Sequence, residues 1–316
     1  MVLLFFSRSI NDNSGGISMS VADCKIVAFD MDGTLLNGEA KISRETWKAC
    51  EELQQRGVKL LLSTGRPFVS ARIASDYYPF DGYVCSNGAA LFTEDGTLVK
   101  YAELPREVII SLVEISRQKD IYYEVHDQNS NRWMVEEDKE RIGEMLFSEP
   151  FITEGITLEH TKREYANRQF SYNELAKFMP KDELVSKIAS GEFVISKMFF
   201  WHKDTNVLKW LREQTTEFVG QVSLTSSGPF NMEVIPLGLS KWVGLQTFMQ
   251  KWNVPAAEIA AFGDAMNDFE ILSHVGHPVV MENAEDEVKK LARYMAKHHC
   301  EDGVACFIRE YMLPNQ

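Results

Sequence analysis

Cysteine is scarce and scattered in this chain. Five residues, Cys24, Cys50, Cys85, Cys300 and Cys306, stand without any CxxC pair. That pattern gives no disulfide framework and argues against a cysteine-ligated zinc site. Reduced thiols of this kind belong to a cytoplasmic protein. Long hydrophobic runs are also missing. Nothing approaches the roughly 20 apolar residues that span a bilayer, so no membrane partner is expected. The apolar start, Val2 to Phe6, turns polar at Ser7-Arg8 and falls short of the roughly 7–15 residues of a secretory core. A weak organellar leader and an upstream start before Met19 are the two alternatives for that end. Positive charge is in deficit: 33 Lys and Arg face 46 Asp and Glu, a net −13. An acidic surface repels nucleic-acid phosphates, and no nucleic-acid partner is expected. A small phosphorylated substrate stays open, because a bound cation reverses the field inside a pocket. There is no internal repeat. The ordinary 45% hydrophobic content excludes collagen-like, filamentous and wholly disordered chains.

What is present is an α/β rhythm over 316 residues, long enough for two domains or for one with a large insertion. Residues 26–29 form a short apolar run bounded by charge, as a buried parallel strand requires. Ser43 can cap a helix carrying Trp47, Cys50 and Leu53, and Gly57 can end it. Strands at 58–62 and 83–85 follow. Glu94-Asp95-Gly96 sits between two short apolar runs as a hairpin turn. From about Pro105 the pattern becomes α+β. A helix runs to about Gln118, strands lie at 121–125, 132–135, 197–202 and 224–235, and a helix lies near 205–214. After Pro236 the first rhythm returns, with a helix from Ser240 and a strand at 259–262. A helix from about Asp268, a last strand at 277–281 and a helix over 285–297 complete it. The expected fold is α/β: a doubly wound parallel-sheet core over 21–104 and 236–316, interrupted by an inserted α+β cap over 105–235. A flexible extension covers 1–20.

Four segments carry chemistry. Asp30-Met31-Asp32-Gly33-Thr34 directly follows the first strand, where open α/β sheets collect ligands. Of two carboxylates one residue apart, one can attack an electrophile while the other gives and takes a proton. Ser63-Thr64-Gly65-Arg66 ends the next strand. Its hydroxyl and exposed backbone suit a phosphate oxygen, and Arg66 can bind a substrate anion or pair with a carboxylate. Lys241 lies in the first turn of a helix. Such a lysine is usually solvated, and its functional role would be a fixed positive charge beside a phosphoryl group. Gly263-Asp264-Ala265-Met266-Asn267-Asp268 ends another core strand. Asp264 can complete an oxygen site for Mg2+, Asn267 can meet a substrate oxygen, and Asp268 can orient metal waters or Lys241.

In this order the four segments resemble those of the haloacid dehalogenase superfamily of phosphohydrolases, over residues 24–308. More narrowly they resemble its Cof-type subfamily, which has a cap of the C2B kind. Ser86-Asn87-Gly88-Ala89 is similar to that subfamily's entry into the cap, and Asn231-Met232-Glu233-Val234 to its exit. Asn283-Ala284 and Glu301-Asp302-Gly303-Val304-Ala305 fit its tail. The resemblance implies Asp30 as the nucleophile that forms an aspartyl-phosphate and Asp32 as the acid and base. Thr64, Gly65, Arg66, Lys241 and Asn267 would bind substrate. Mg2+ would be held by Asp30, the Asp32 backbone carbonyl and Asp264, with Asp268 in support. Glu282 and Trp242 stand where the family usually has glycine.

The implied activity is a Mg2+-dependent phosphatase of small phosphorylated metabolites, sugar phosphates first, in a monomer or weak homodimer. A hexose phosphomutase is the alternative enzyme. A non-catalytic binding protein is the alternative class, disfavoured because Asp30, Asp32, Lys241 and Asp264 are all present. Lys197, His202, Asn231 and Glu233 are candidates for cap residues that set specificity, though each also suits strand packing or the surface.

Overall fold

The computed structural model of the protein describes residues 20–148 and 158–313. Apart from Ser20, the expected N-terminal extension lies outside the described residues. In chain order the first part runs β1 (Ile26–Phe29), α1 (Arg44–Gln55), β2 (Lys59–Ser63), α2 (Phe68–Ala74), β3 (Gly82–Cys85), β4 (Ala90–Thr93) and β5 (Leu98–Tyr101). The middle comprises α3 (Arg106–Ser116), β6 (Tyr122–Asp127), β7 (Arg132–Val135), α4 (Lys139–Leu146), α5 (Leu158–Phe170), β8 (Ala176–Met179), α6 (Lys181–Ser190), β9 (Ile195–Trp201), α7 (Thr205–Gln214), β10 (Val222–Thr225) and β11 (Asn231–Pro236). The last part is α8 (Lys241–Trp252), β12 (Ile259–Gly263), α9 (Phe269–His274), β13 (His277–Met281), α10 (Asp286–Lys289), β14 (Tyr294–Ala296) and α11 (Gly303–Phe307).

These strands make two sheets. The first has the order β14-β13-β12-β1-β2-β3-β4-β5 and the second β10-β11-β9-β6-β7-β8. The first is parallel except where β4 and β5 turn back antiparallel beside β3. The family of folds is the α/β class expected from the sequence. β1 shows why its run reads as continuous apolar. Val27 and Phe29 face one cluster with α1 and α11, while Ile26 and Ala28 face another with α8. Both faces are covered, so no position can be polar. Full burial contributes about 1.5–3 kcal/mol for each Ile, Val or Phe. Ser43 caps α1 as expected, accepting from the Thr46 amide at 3.0 Å, and Gly57 takes φ +83° just beyond it.

The second sheet is antiparallel apart from the β7–β8 pair. Its two faces differ sharply. Tyr123, Val125, Met198, Phe200, Met232 and Val234 pack against α3, α6 and α7. Alternate residues, Glu124, His126, Lys197 and Glu233, point the other way, toward the strand ends of the first sheet.

Three sequence expectations are corrected. The segment 285–297 is not one helix. It gives the single-turn α10 and then β14, which pairs in parallel with β13 at Val279↔Tyr294. Edge pairing, with Tyr294 packed on Phe307, overrides the helical spacing of Val288, Leu291 and Ala292. Consequently 277–281 is not the last strand. The segment 224–235 divides into β10 and β11 around a turn in which the Asn231 side chain accepts from the Ser227 amide at 2.9 Å.

Candidate active site

β1, β2 and β12 lie side by side in the first sheet and all end at the same edge. Their next residues, Asp30, Thr64 and Asp264, therefore meet there. After Asp30 the chain makes a wide turn over Met31–Leu35, with Gly33 at φ +87°. A Cβ on Gly33 would run into the Asp264 carboxylate, so this close approach requires glycine. The Asn283 side chain donates to the Gly33 carbonyl at 2.8 Å and fixes the turn from outside.

Lys241 is 1% exposed. It enters from the first turn of α8, which Ser240 caps. Its Nζ donates to Asp30 Oδ1 at 2.5 Å and to Asp268 Oδ1 at 2.6 Å. Asp268 Oδ2 in turn accepts from the Asp264 and Ala265 amides at 3.1 and 3.3 Å. Asp264 Oδ1 accepts from the Thr34 hydroxyl at 2.8 Å. Carboxylate oxygens of Asp30, Asp264 and Asp268 lie within 4.8 Å of one another. Burial raises the Asp30 pKa to about 7 against the pull of Lys241, with Asp268 and Asp32 adding to the rise. Burial likewise pushes Asp264 well above the carboxylate range, helped by Asp30 and Asp268. Burial opposes the Lys241 ammonium, but Asp268 and Asp30 outweigh it and raise its pKa. One lysine thus faces three crowded acids. Hard oxygen donors with a surplus of negative charge are the chemistry Mg2+ prefers, and these residues fit it.

Asp32 turns outward, its side chain 51% exposed. Arg66 grips it with two bonds, Nε to Oδ2 at 2.8 Å and Nη2 to Oδ1 at 2.6 Å. Partial desolvation would raise its pKa, but Arg66 outweighs that and holds it below the usual range. Of the two readings of Arg66, the carboxylate pair is the one formed here. Thr64 is buried, and its Oγ1 accepts from the Arg66 amide at 3.1 Å. Asn267 is buried too, donating to Asn87 Oδ1 at 3.3 Å while its own Oδ1 has no protein partner.

The nine residues given catalytic, phosphate-binding or metal roles from the sequence, Asp30, Asp32, Thr64, Gly65, Arg66, Lys241, Asp264, Asn267 and Asp268, gather at this edge. Asp30, Asp32, Thr64, Arg66 and Asn267 line a cavity of about 510 Å3 that the second sheet roofs. Lys197, Asn231 and Glu233 line its roof. His202 does not. It sits beyond the far end of β9, with its Nδ1 at 3.0 Å from the Asp204 amide. The sequence reading missed Glu124, His126 and Arg132, which also face the cavity. Glu124 accepts from Ser171 and Tyr122 and lies 2.7 Å from His126 Nε2. Arg132 reaches the first sheet's side, donating to Ser70 Oγ at 3.0 Å. The signal was there in the alternation of Tyr122, Glu124 and His126 with Tyr123 and Val125.

Residues 27–308 match the haloacid dehalogenase-like hydrolase family. Among named proteins, the chain is 28% identical over 292 residues to 5-amino-6-(5-phospho-D-ribitylamino)uracil phosphatase YcsE of Bacillus subtilis (strain 168). That match covers 92% of this chain and 97% of the relative. It is also 28% identical over 291 residues to the HMP-PP phosphatase of Serratia proteamaculans (strain 568), covering 91% of this chain and 95% of that one. A solved haloacid dehalogenase-like hydrolase from B. subtilis shares the fold, with a TM-score of 0.76 at 24% identity. It covers 90% of this chain and 99% of the other.

Proposed function

The chain belongs to the haloacid dehalogenase-like hydrolase family and is a phosphoric monoester hydrolase, and from that premise we propose that it is a Mg2+-dependent phosphatase of small phosphorylated metabolites, sugar-type phosphates first. The observation that carries this is the gathering of Asp30, Thr64 and Lys241 beside the Asp30–Asp264–Asp268 trio, at the floor of the cavity that the second sheet roofs. The described residues within 105–235 form the cap that supplies the roof. One relative's name specifies a phosphorylated ribityl chain on a pyrimidine, which agrees with a substrate of sugar size.

In this mechanism an Asp30 oxygen attacks phosphorus, and the ester oxygen leaves with a proton from Asp32. Asp32 then takes a proton from water as that water attacks the aspartyl-phosphate, which returns Asp30 and releases phosphate. Lys241 favours the ionised form of Asp30 against its burial and, with the Thr64 hydroxyl and Asn267, holds the phosphoryl oxygens. Asp30, Asp264 and the Asp32 carbonyl would hold Mg2+, with Asp268 in support. Mg2+ supplies neutralisation of phosphoryl charge when bound. Arg66 has two states in this scheme. Paired with Asp32 it keeps that carboxylate ionised. Turned toward substrate oxygens, it lets Asp32 take up the proton it must donate. The unpaired thiols suit a cytoplasmic setting.

The test uses an aryl phosphate with and without Mg2+. The wild type should release phosphate only with the metal. Asp30→Asn should form no phosphoenzyme. Asp32→Asn should form it and hydrolyse it slowly, losing a contribution typically worth roughly 10²–10⁴-fold. Metal-independent turnover, or labelling that survives Asp30→Asn, would refute the scheme.

A further inference from the structure

We propose that Lys197 and Glu233 are positioning residues of the hydrolysis: a buried ion pair on the cap that docks onto the phosphate-side loops and aims the Thr64 hydroxyl. This rests on the hydrolase reading above.

Lys197 on β9 and Glu233 on β11 are each 3% exposed, with Nζ to Oε1 at 2.8 Å. Beyond this pairing within their own sheet, both reach the first sheet's loops. Lys197 Nζ donates across the cavity wall to the Gly65 carbonyl at 2.7 Å. Glu233 Oε2 accepts from the Asn87 side chain, whose other end receives the Asn267 amide group. One pair on the cap thus holds both core loops that border the phosphoryl site.

The consequence for Thr64 follows from peptide planarity. Three successive carbonyls of the 64–66 loop are tied. Asn87 N donates to Thr64 O at 3.1 Å and Ser86 N to Arg66 O at 3.0 Å, both from the core. The middle one, Gly65 O, is tied only by Lys197 among the described residues. The Gly65 carbonyl shares its peptide plane with the Arg66 N–H, and that N–H donates to Thr64 Oγ1 at 3.1 Å. A hydroxyl that accepts from this side turns its own proton outward, to where phosphoryl oxygens would lie. The cap lysine therefore sets the plane that orients the hydroxyl.

Gly65 has the shape this requires. A Cβ there would stand 3.2 Å from Asn87 Oδ1, 3.3 Å from Lys197 Nζ and 3.4 Å from Glu233 Oε2. The first two contacts are tight, so Asn87 and Lys197 would each have to give by a few tenths of an ångström to admit a side chain. Glu233 also compensates the lysine's charge, since burial alone would drive that ammonium toward its neutral form.

The experiment compares wild type, the charge-free pair K197M/E233Q, T64V and the triple variant, with 4-nitrophenyl phosphate and Mg2+. Removing one partner alone strands the other charge in the interior, so the double variant is the one expected to fold. Its melting temperature shows whether it does. Its kcat should fall about 10²-fold, the scale of a misplaced transition-state donor, with KM little changed. In the T64V background the same pair of substitutions should cost almost nothing, because the hydroxyl they aim is already gone. The Arg66 amide should also exchange faster with solvent deuterium in the double variant. A folded K197M/E233Q enzyme with wild-type kcat overturns the proposal. So does an equal loss with and without the Thr64 hydroxyl, which a merely structural pair would give. Failure of the hydrolase reading is separate and shows as a wild type that releases no phosphate.

Discussion

Lys241 and Lys197 are both almost wholly buried, and both end on carboxylates. Their company differs in number. Lys197 meets one acid, Glu233, and the pair closes on itself and on neutral amide and carbonyl groups. Lys241 meets Asp30 and Asp268, with Asp264 close behind. A balanced pair in the interior is a fastening, since nothing more is needed to stabilise it. An unbalanced one is a receptor, because the surplus negative charge is strongly unfavourable until a cation arrives. Side-chain chemistry alone does not tell the two lysines apart; the local charge sum does.

The strongest way to break this contrast is to remove the surplus. Asp30→Asn should leave turnover at background, checked by phosphate release and by labelling of the protein. Asp264→Asn should weaken Mg2+ by at least the roughly 10–100-fold seen when groups supporting a metal ligand are lost. Calorimetric titration with Mg2+ measures this, and high Mg2+ should recover part of the activity. Next come the single lysine substitutions. Lys241→Met and Lys197→Met should each cost about 3–5 kcal/mol of stability in metal-free protein. Saturating Mg2+ should restore much of the first and little of the second, as read by urea unfolding. Equal restoration would erase the distinction drawn here. The smallest effect concerns His126, which faces Glu124, Arg132 and Lys197 on the cap's inner face. Burial lowers its pKa to about 4 from 6.5, despite Glu124. The unfolded chain then binds the extra proton first as pH falls, so stability is full above about 6.5 and is lost toward 4. Between pH 7 and 5 the loss should be about 2 kcal/mol. His126→Asn should flatten that slope.

The catalytic floor was legible in the sequence because each residue sits one step beyond a buried strand. Asp30 after Phe29, Thr64 after Ser63 and Asp264 after Gly263 needed only the rule that parallel strands end together. Ser43, Gly57 and the 94–96 hairpin were legible for the same local reason. The roof was not. Glu124, His126 and Arg132 depend on which face of β6 and β7 is turned inward, and that is settled by sheet register across β6, β7 and β9. A strand pattern shows that two faces differ but not what each one meets. The misread stretch at 285–297 failed in the same way. Its apolar spacing suits a helix, and only the exposed edge of β13 turns part of it into β14.

The placing of β1 between β2 and β12 has a consequence for synthesis on the ribosome. β2 is made soon after β1, whereas β12 begins at Ile259, after the whole roof has been translated. At about 5–20 residues per second, one edge of Ile26–Phe29 stays open for on the order of ten to fifty seconds. Through that interval the nascent chain presents an unpaired, wholly apolar strand edge, a template for wrong partners. Residues of the middle part can fold into their own sheet while the first part waits. The protein should therefore lean on nascent-chain chaperones more than its finished stability suggests. Slowed translation after residue 236 should lower the soluble yield more than the same delay placed before residue 26.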